Sequence, residues 1–336
     1  MINPTFKNKL FELDALRGIA AMAVVLFHYT FEINNGNKNF DSSKLHFNYG
    51  YLGVHLFFLI SGFVIFMTLD KTKKPLDFII SRFSRLYPAY WAAIFTTIII
   101  TLLLRTNEYS LNQVLVNITM FQYWFKVKDI DGAYWTLAVE LTFYAIMWLL
   151  YVSKQLKNIS LIAIVWLIIA AIFAIFEIPL ENYINVIFIL KHAPLFIGGI
   201  AFYGIKSDKS KLINHFLIFL SFIVICIVNY SNKADIVVYS LITSFYIVFY
   251  LFVYNKLNFL NNRVLLFLGS ISYSLYLIHE NIGKALISYL KEVVDNQIFY
   301  LPITITIIII LSAIINKKIE KPAMNFIRNK YKNYAK

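Results

Sequence analysis

Arg17 and His28 stand with ten residues between them in the run LDALRGIAAMAVVLFHY, and nearly all of those ten are apolar. On a helix, eleven steps of about 100° bring the two side chains within about 20° of each other and roughly 16 Å apart along the axis. A charged side chain in a membrane-spanning run costs roughly 2.5–3.5 kcal/mol near its centre on insertion scales. Such residues therefore tend to face a protein interior and to carry a function. A guanidinium and an imidazole spaced in this way could serve one long ligand from its two ends.

Other polar residues enter apolar runs in the same manner. YGYLGVHLFFLISGFVIF holds His55 and Ser61, AYWTLAVELTFY holds Trp135, Glu140 and Tyr144, and GSISYSLYLIHENI holds Ser272 and His279. Ser272 and His279, seven apart, share a helix face. Ser61 lies about 240° around its helix from His55, so the two form no evident nucleophile–base couple. In SRFSRLYPAYW, Arg82 and Arg85 share a face, and Lys71, Lys73 and Lys74 precede them. With Arg17 they make a basic cluster suited to a phosphorylated ligand, because guanidinium pairs bidentately with phosphate oxygens. Plainer readings stand beside these. Positive-inside anchoring also accounts for the basic cluster, interhelical hydrogen bonding for His55 or His279, and a structural partner for Glu140. Lys191, His192 and Lys284 lie near span boundaries, where long side chains snorkel, and carry no assignment.

The elements that must hold these residues follow from composition. The chain has 336 residues, 60% of them hydrophobic and 15% charged, with a mean hydropathy of +0.67. That composition predicts an all-α polytopic membrane protein forming one membrane-embedded domain over 1–336. Apolar runs between polar breaks predict about ten transmembrane helices, near 13–33, 50–69, 86–104, 133–152, 159–176, 183–205, 212–229, 236–253, 265–288 and 298–316. With the N-terminus in the cytoplasm, basic residues on the inner side outnumber those outside roughly threefold, as the positive-inside rule expects. Lys7 and Lys9, Lys71 to Lys74, and the run from Lys317 to Lys336 contribute to the inner side. Both termini are therefore expected in the cytoplasm, and the net charge of +13 reflects topology, with no nucleic-acid partner implied. The same orientation places His28, His55, Glu140 and His279 at a similar depth in the outer half of the bilayer.

Two outer loops, 34–49 and 105–132, are long enough to hold structure, and the amphipathic pattern of 105–132 suits a segment lying along the outer face. The N-terminal segment lacks the pattern of a cleaved signal peptide, so the first helix is expected to remain as an anchor. Cys226 is the single cysteine, which excludes an internal disulfide and a cysteine metal cluster. The histidines fall on separate spans without short ligand spacing, so no metal site is expected.

Taken in order, these motifs resemble the acyltransferase-3 family of integral membrane acyltransferases. The resemblance rests on Arg17 and His28 in LDALRGIAAMAVVLFHY, on GVHLFFLISGFVI (53–65), on RFSRLYPAYW (82–91) and on WTLAVELTFY (135–144). SYSLYLIH (272–279) and IEKPAMNF (319–326) are also familial. The residue before Leu56, often acidic in relatives, is His55 here. Some relatives carry a further hydrolase-like domain; this chain ends at Lys336, so a stand-alone enzyme is expected.

The resemblance implies a multi-pass protein of the plasma (bacterial inner) membrane. It would move an acyl group, commonly acetyl, from acyl-CoA to a hydroxyl of a surface carbohydrate or lipid-linked saccharide, with no resident cofactor. On that reading His28 takes the hydroxyl proton, Glu140 fixes the tautomer of His28, and Arg17, Arg82 and Arg85 hold the donor phosphates. His55, Ser61, Trp135, Tyr144, Ser272 and His279 are expected to line the site. Direct transfer is the preferred route; an acyl group carried on His28 or Ser61 is the alternative. The rival class is a transporter or exporter of a polysaccharide or lipid-linked intermediate.

Overall fold

The structure, a computed structural model, describes residues 10–32, 46–178, 187–209, 211–294 and 296–334. Most of the expected loop 34–49, the first residues of the expected span 183–205, and Lys7, Lys9, Lys38 and Lys44 lie outside the described residues.

Every expected span is largely helical over its described part, and no strand occurs among the described residues. In chain order the helices are α1 (Phe11–Leu26), α2 (Gly53–Asp70), α3 (Pro75–Leu103), α4 (Leu111–Ile118), α5 (Trp135–Val152) and α6 (Ile159–Ile175). There follow α7 (Ala193–Lys206), α8 (Lys211–Ser231), α9 (Ile236–Val253), α10 (Arg263–Val293), α11 (Gln297–Ile315) and α12 (Lys321–Tyr334). Side-chain caps start several of them. Asp235 accepts from Val237 and Val238 at the start of α9, and Asn262 accepts from Leu265 at the start of α10. Pro75 opens α3, where a missing N–H costs nothing.

Among the described residues, seven helical runs are long and apolar enough to cross a membrane; they contain α2, α3, α5, α6, α8, α9 and α11. The other three expected spans differ for a physical reason. Helix α1 has 16 residues with Glu12, Asp14 and Arg17 near its start. Helix α7 has 14 residues. Helix α10 is continuous over 31 residues, but its apolar run is interrupted by serines, His279, Glu280, Asn281 and Lys284. These three lie inside the bundle: all of α7 from Ala193 to Ile205 is buried, and α10 packs against α1, α3 and α11. Outer helices present apolar side chains outward, as with Leu103 and Leu161 at 76% and 64% exposure.

The segment 105–132 packs against α3. Only 111–118 is helical, and it is drawn back onto α3 by hydrogen bonds from Tyr90 to the Asn117 carbonyl and from Trp91 to the Ile118 carbonyl, each 2.9 Å. Buried Asn117 ties this helix to the end of the segment, donating to the Lys128 carbonyl and accepting from the Ile130 N–H.

Candidate active site

Two close helix crossings set the geometry. A Cβ on Gly269 of α10 would come within 2.0 Å of the Asp14 carbonyl on α1, and one on Gly18 within 2.7 Å of the Gly269 nitrogen. Only glycine allows that approach, which lays the His28 face of α1 on the His279 face of α10. Likewise Gly62 of α2 and Gly199 of α7 would each place a Cβ 2.1 Å from a carbonyl oxygen of the other helix.

Beyond Leu26 the α1 hydrogen bonding widens into a π-helical turn, Phe27–Glu32, and His28 lies within it. Such turns re-aim side chains and are common at functional sites. The turn is pinned by buried Tyr29, whose hydroxyl donates to the His279 carbonyl at 2.7 Å. His28 then meets His279 edge-on, with ring centroids 5.0 Å apart, and its Nε2 lies 3.8 Å from Glu280 Oε2. The other Glu280 oxygen accepts from Lys284 at 2.7 Å. Asp131 supports this corner, its carboxylate accepting from the Asn281 and Ala133 backbone N–H groups. Burial and the nearby Glu280 carboxylate push the Asp131 carboxyl well above its ordinary range. His28 opens onto a cavity of about 320 Å³, walled by Tyr51, His55, Trp135, His192 and Tyr276.

A second cavity, about 110 Å³, abuts the first, and Val54 and Tyr276 line both. It gathers Arg17, Arg82 and Arg85 with Ser61, Glu140, Tyr144 and Ser272. Arg17 lies 3.5 Å from Asp14. Arg82 donates to Ser81 at 3.0 Å and spreads over the Phe78 and Tyr144 rings, while its buried Nε has no hydrogen-bond partner. Arg85 pairs with Glu320, which is itself completely buried and also accepts from Ser274 at 2.6 Å and Asn316 at 3.0 Å.

Glu140 departs from the expected arrangement. It accepts from Ser61 at 2.8 Å and Tyr144 at 2.5 Å in the arginine cavity, so it does not orient His28; Glu280 is the carboxylate beside that imidazole. The reason is rotation. Glu140 follows Trp135 by five residues, about 140° around α5 and 7.5 Å along it, so one helix serves two cavities with different faces. Ser272 joins the arginine cavity while His279, two turns on, reaches His28. Glu280, Glu320 and Asp131 were not singled out from the sequence, and His192 was given no assignment there, although an ionisable residue such as Glu280 within LIHENI is itself a signal. Among the described residues no group of three or more His, Cys, Asp or Glu side chains forms a metal-donor set.

Comparison with known proteins bears on this arrangement. A protein of Acidianus two-tailed virus, provisionally named an acetyltransferase, is 23% identical over 289 residues, covering 81% of this chain and 83% of its own. A Staphylococcus aureus protein provisionally named an O-acetyltransferase is 26% identical over 350 residues, covering 88% of this chain and 54% of its own. The chain thus spans about half the length of the staphylococcal relatives it matches. A Bacillus subtilis protein provisionally named a peptidoglycan O-acetyltransferase is 32% identical over 93 residues, covering 26% of this chain and 13% of its own. No solved structure matches the chain. The acyltransferase-3 profile, described as an acyltransferase domain, matches residues 10–316, which contain both cavities and the helices that build them, and the chain therefore belongs to the acyltransferase-3 family.

Proposed function

We propose that the chain is a ten-span membrane O-acyltransferase with both termini in the cytoplasm of the plasma membrane. It takes an acyl group, here acetyl, from acyl-CoA to a hydroxyl of a surface carbohydrate or lipid-linked saccharide. The observation that carries this reading is the reach of α1: Arg17 stands in the arginine cavity and His28 in the adjoining one. The orientation rests on the basic excess at one end of the bundle.

Arg17, Arg82 and Arg85 hold the anionic phosphates of the donor, and Glu140 offsets their mutual repulsion while no donor is bound. The pantetheine arm passes Val54 and Tyr276, and the thioester arrives beside His28. The acceptor hydroxyl oxygen attacks the thioester carbonyl carbon as the His28 imidazole takes its proton. Glu280 stabilises the imidazolium and keeps the ring oriented. The C–O bond forms, the C–S bond breaks, and the proton passes from the imidazolium to the departing thiolate. The products are the saccharide ester and free CoA thiol. The relatives named above carry acetyltransferase names, and none supports the transporter reading.

Membranes carrying the protein, given radiolabelled acetyl-CoA and extracted envelope glycan, should transfer label to glycan. His28→Ala at matched expression should lower transfer by about 10²- to 10⁴-fold, the usual contribution of a positioned base. Undiminished transfer in that variant removes His28 from its role, and no transfer by the unmodified chain removes the reading itself.

A further inference from the structure

A third cavity, about 460 Å³, lies at the end of the bundle away from the arginines. Tyr49 and Tyr51, just before α2, help to line it, and the 18 residues of α2 then run about 27 Å toward the end where α3 begins and Arg82 lies. Its volume falls within the range of about 300–1,000 Å³ common for small-molecule sites. Tyr51, His55 and His192 line both this cavity and the one around His28, so the two spaces share those side chains as a wall. The buried Nδ1 atoms of His55 and His192 have no hydrogen-bond partner.

The wall chemistry is polar and cationic. Lys191 and Lys233 line the cavity, and neither ammonium group has an ion-pair or hydrogen-bond partner among the described residues. The one acidic residue among the described lining, Asp235, is already committed. It accepts from the Tyr49 hydroxyl at 2.5 Å and caps α9 through Val237 and Val238. Asn229 and Asn232 donate their amides to their own helix at 2.8 and 2.7 Å, which leaves their side-chain oxygens as acceptors for hydroxyl groups.

We infer that this cavity is the acceptor vestibule and that it selects an acidic saccharide. Lys191 and Lys233 meet a carboxylate or phosphate on the sugar, and the two histidines meet hydroxyls on the way to His28. The inference rests on the acyltransfer reading and deepens it by naming where the acceptor binds and what charge it carries. Two uncommitted cations beside hydroxyl acceptors would leave a neutral saccharide without a partner for either ammonium, whereas an anionic sugar satisfies both.

The test uses full-length protein in membranes with radiolabelled acetyl-CoA and envelope glycan split by anion exchange into neutral and acidic fractions. Label should enter the acidic fraction at least tenfold faster at equal glycan concentration. Lys191→Gln with Lys233→Gln should raise the acceptor KM at least tenfold and leave the acetyl-CoA KM unchanged, which also reports a folded enzyme. With the unmodified chain, carbodiimide–borohydride reduction of the acidic glycan should produce the same rise if the recognised group is a carboxylate. Dephosphorylation should produce it if that group is a phosphate. Equal labelling of neutral glycan, an unchanged acceptor KM in the double variant, or indifference to both treatments overturns the vestibule assignment alone. No label in any fraction with the unmodified chain overturns the acyltransfer reading and this inference with it.

Discussion

Single side chains line two adjoining cavities, and on the proposed mechanism their variants should separate in kinetics. Glu280 faces His28 at 3.8 Å, so Glu280→Gln should lower kcat by about 10²-fold while the acetyl-CoA KM stays within twofold, measured by label transfer in membranes. Glu320 touches neither proposed substrate and acts through Arg85. Glu320→Gln weakens the hold on that guanidinium, and the expected result is a donor KM raised by about tenfold with kcat nearly unchanged. A fall in kcat alone would instead place Glu320 in folding or in chemistry. Arg17 and His28 were legible as a pair because both lie on one helix, where spacing fixes direction. The partner of His28 was not legible, since Glu280 reaches it from a different helix while Glu140 turns into the arginine cavity.

Helices position these groups through backbone contacts that glycine alone permits. A Cβ on Gly269 would meet the Asp14 carbonyl at 2.0 Å, so Gly269→Ala must push α1 off α10. Overpacking of this kind costs about 1–3 kcal/mol, and the variant should show a lower Tm in detergent and transfer reduced in proportion to the His28–Glu280 displacement. An unchanged Tm with full activity would mean that the two helices cross less tightly than this contact requires. Seven helical runs long and apolar enough to cross a membrane were readable from apolar content, because a bilayer demands about 20 such residues per crossing. The π-helical turn at Phe27–Glu32 was not, because it depends on what α10 offers Tyr29 and has no local pattern of its own. The inward placement of α1, α7 and α10 also escaped hydropathy, which reads apolar content and not which face meets protein.

At the level of the whole molecule, the donor and acceptor readings require two ends of opposite accessibility. In a Cys226→Ser background, Lys74→Cys should react with a membrane-impermeant maleimide only from the cytoplasmic side. Lys233→Cys should react only from the outside, in sealed spheroplasts and inverted vesicles. Labelling of both from one side would contradict the topology. That orientation is read from the charge asymmetry alone, and the labelling tests it. The chain of three cavities did not show in the sequence, because hydropathy marks α2 as a span without telling that Val54 and His55 between them border all three spaces.

On the proposed mechanism the donor arm passes the junction at Val54 and Tyr276, where the arginine cavity meets the one holding His28. Val54→Trp fills that junction and leaves every arginine and His28 in place. The decisive measurement is CoA binding and acetyl transfer by this variant in the same membranes. CoA affinity should stay within about threefold of the unmodified chain while transfer falls by at least about 10²-fold. Transfer at the unmodified rate, with the junction blocked, would contradict a donor that reaches His28 along α1.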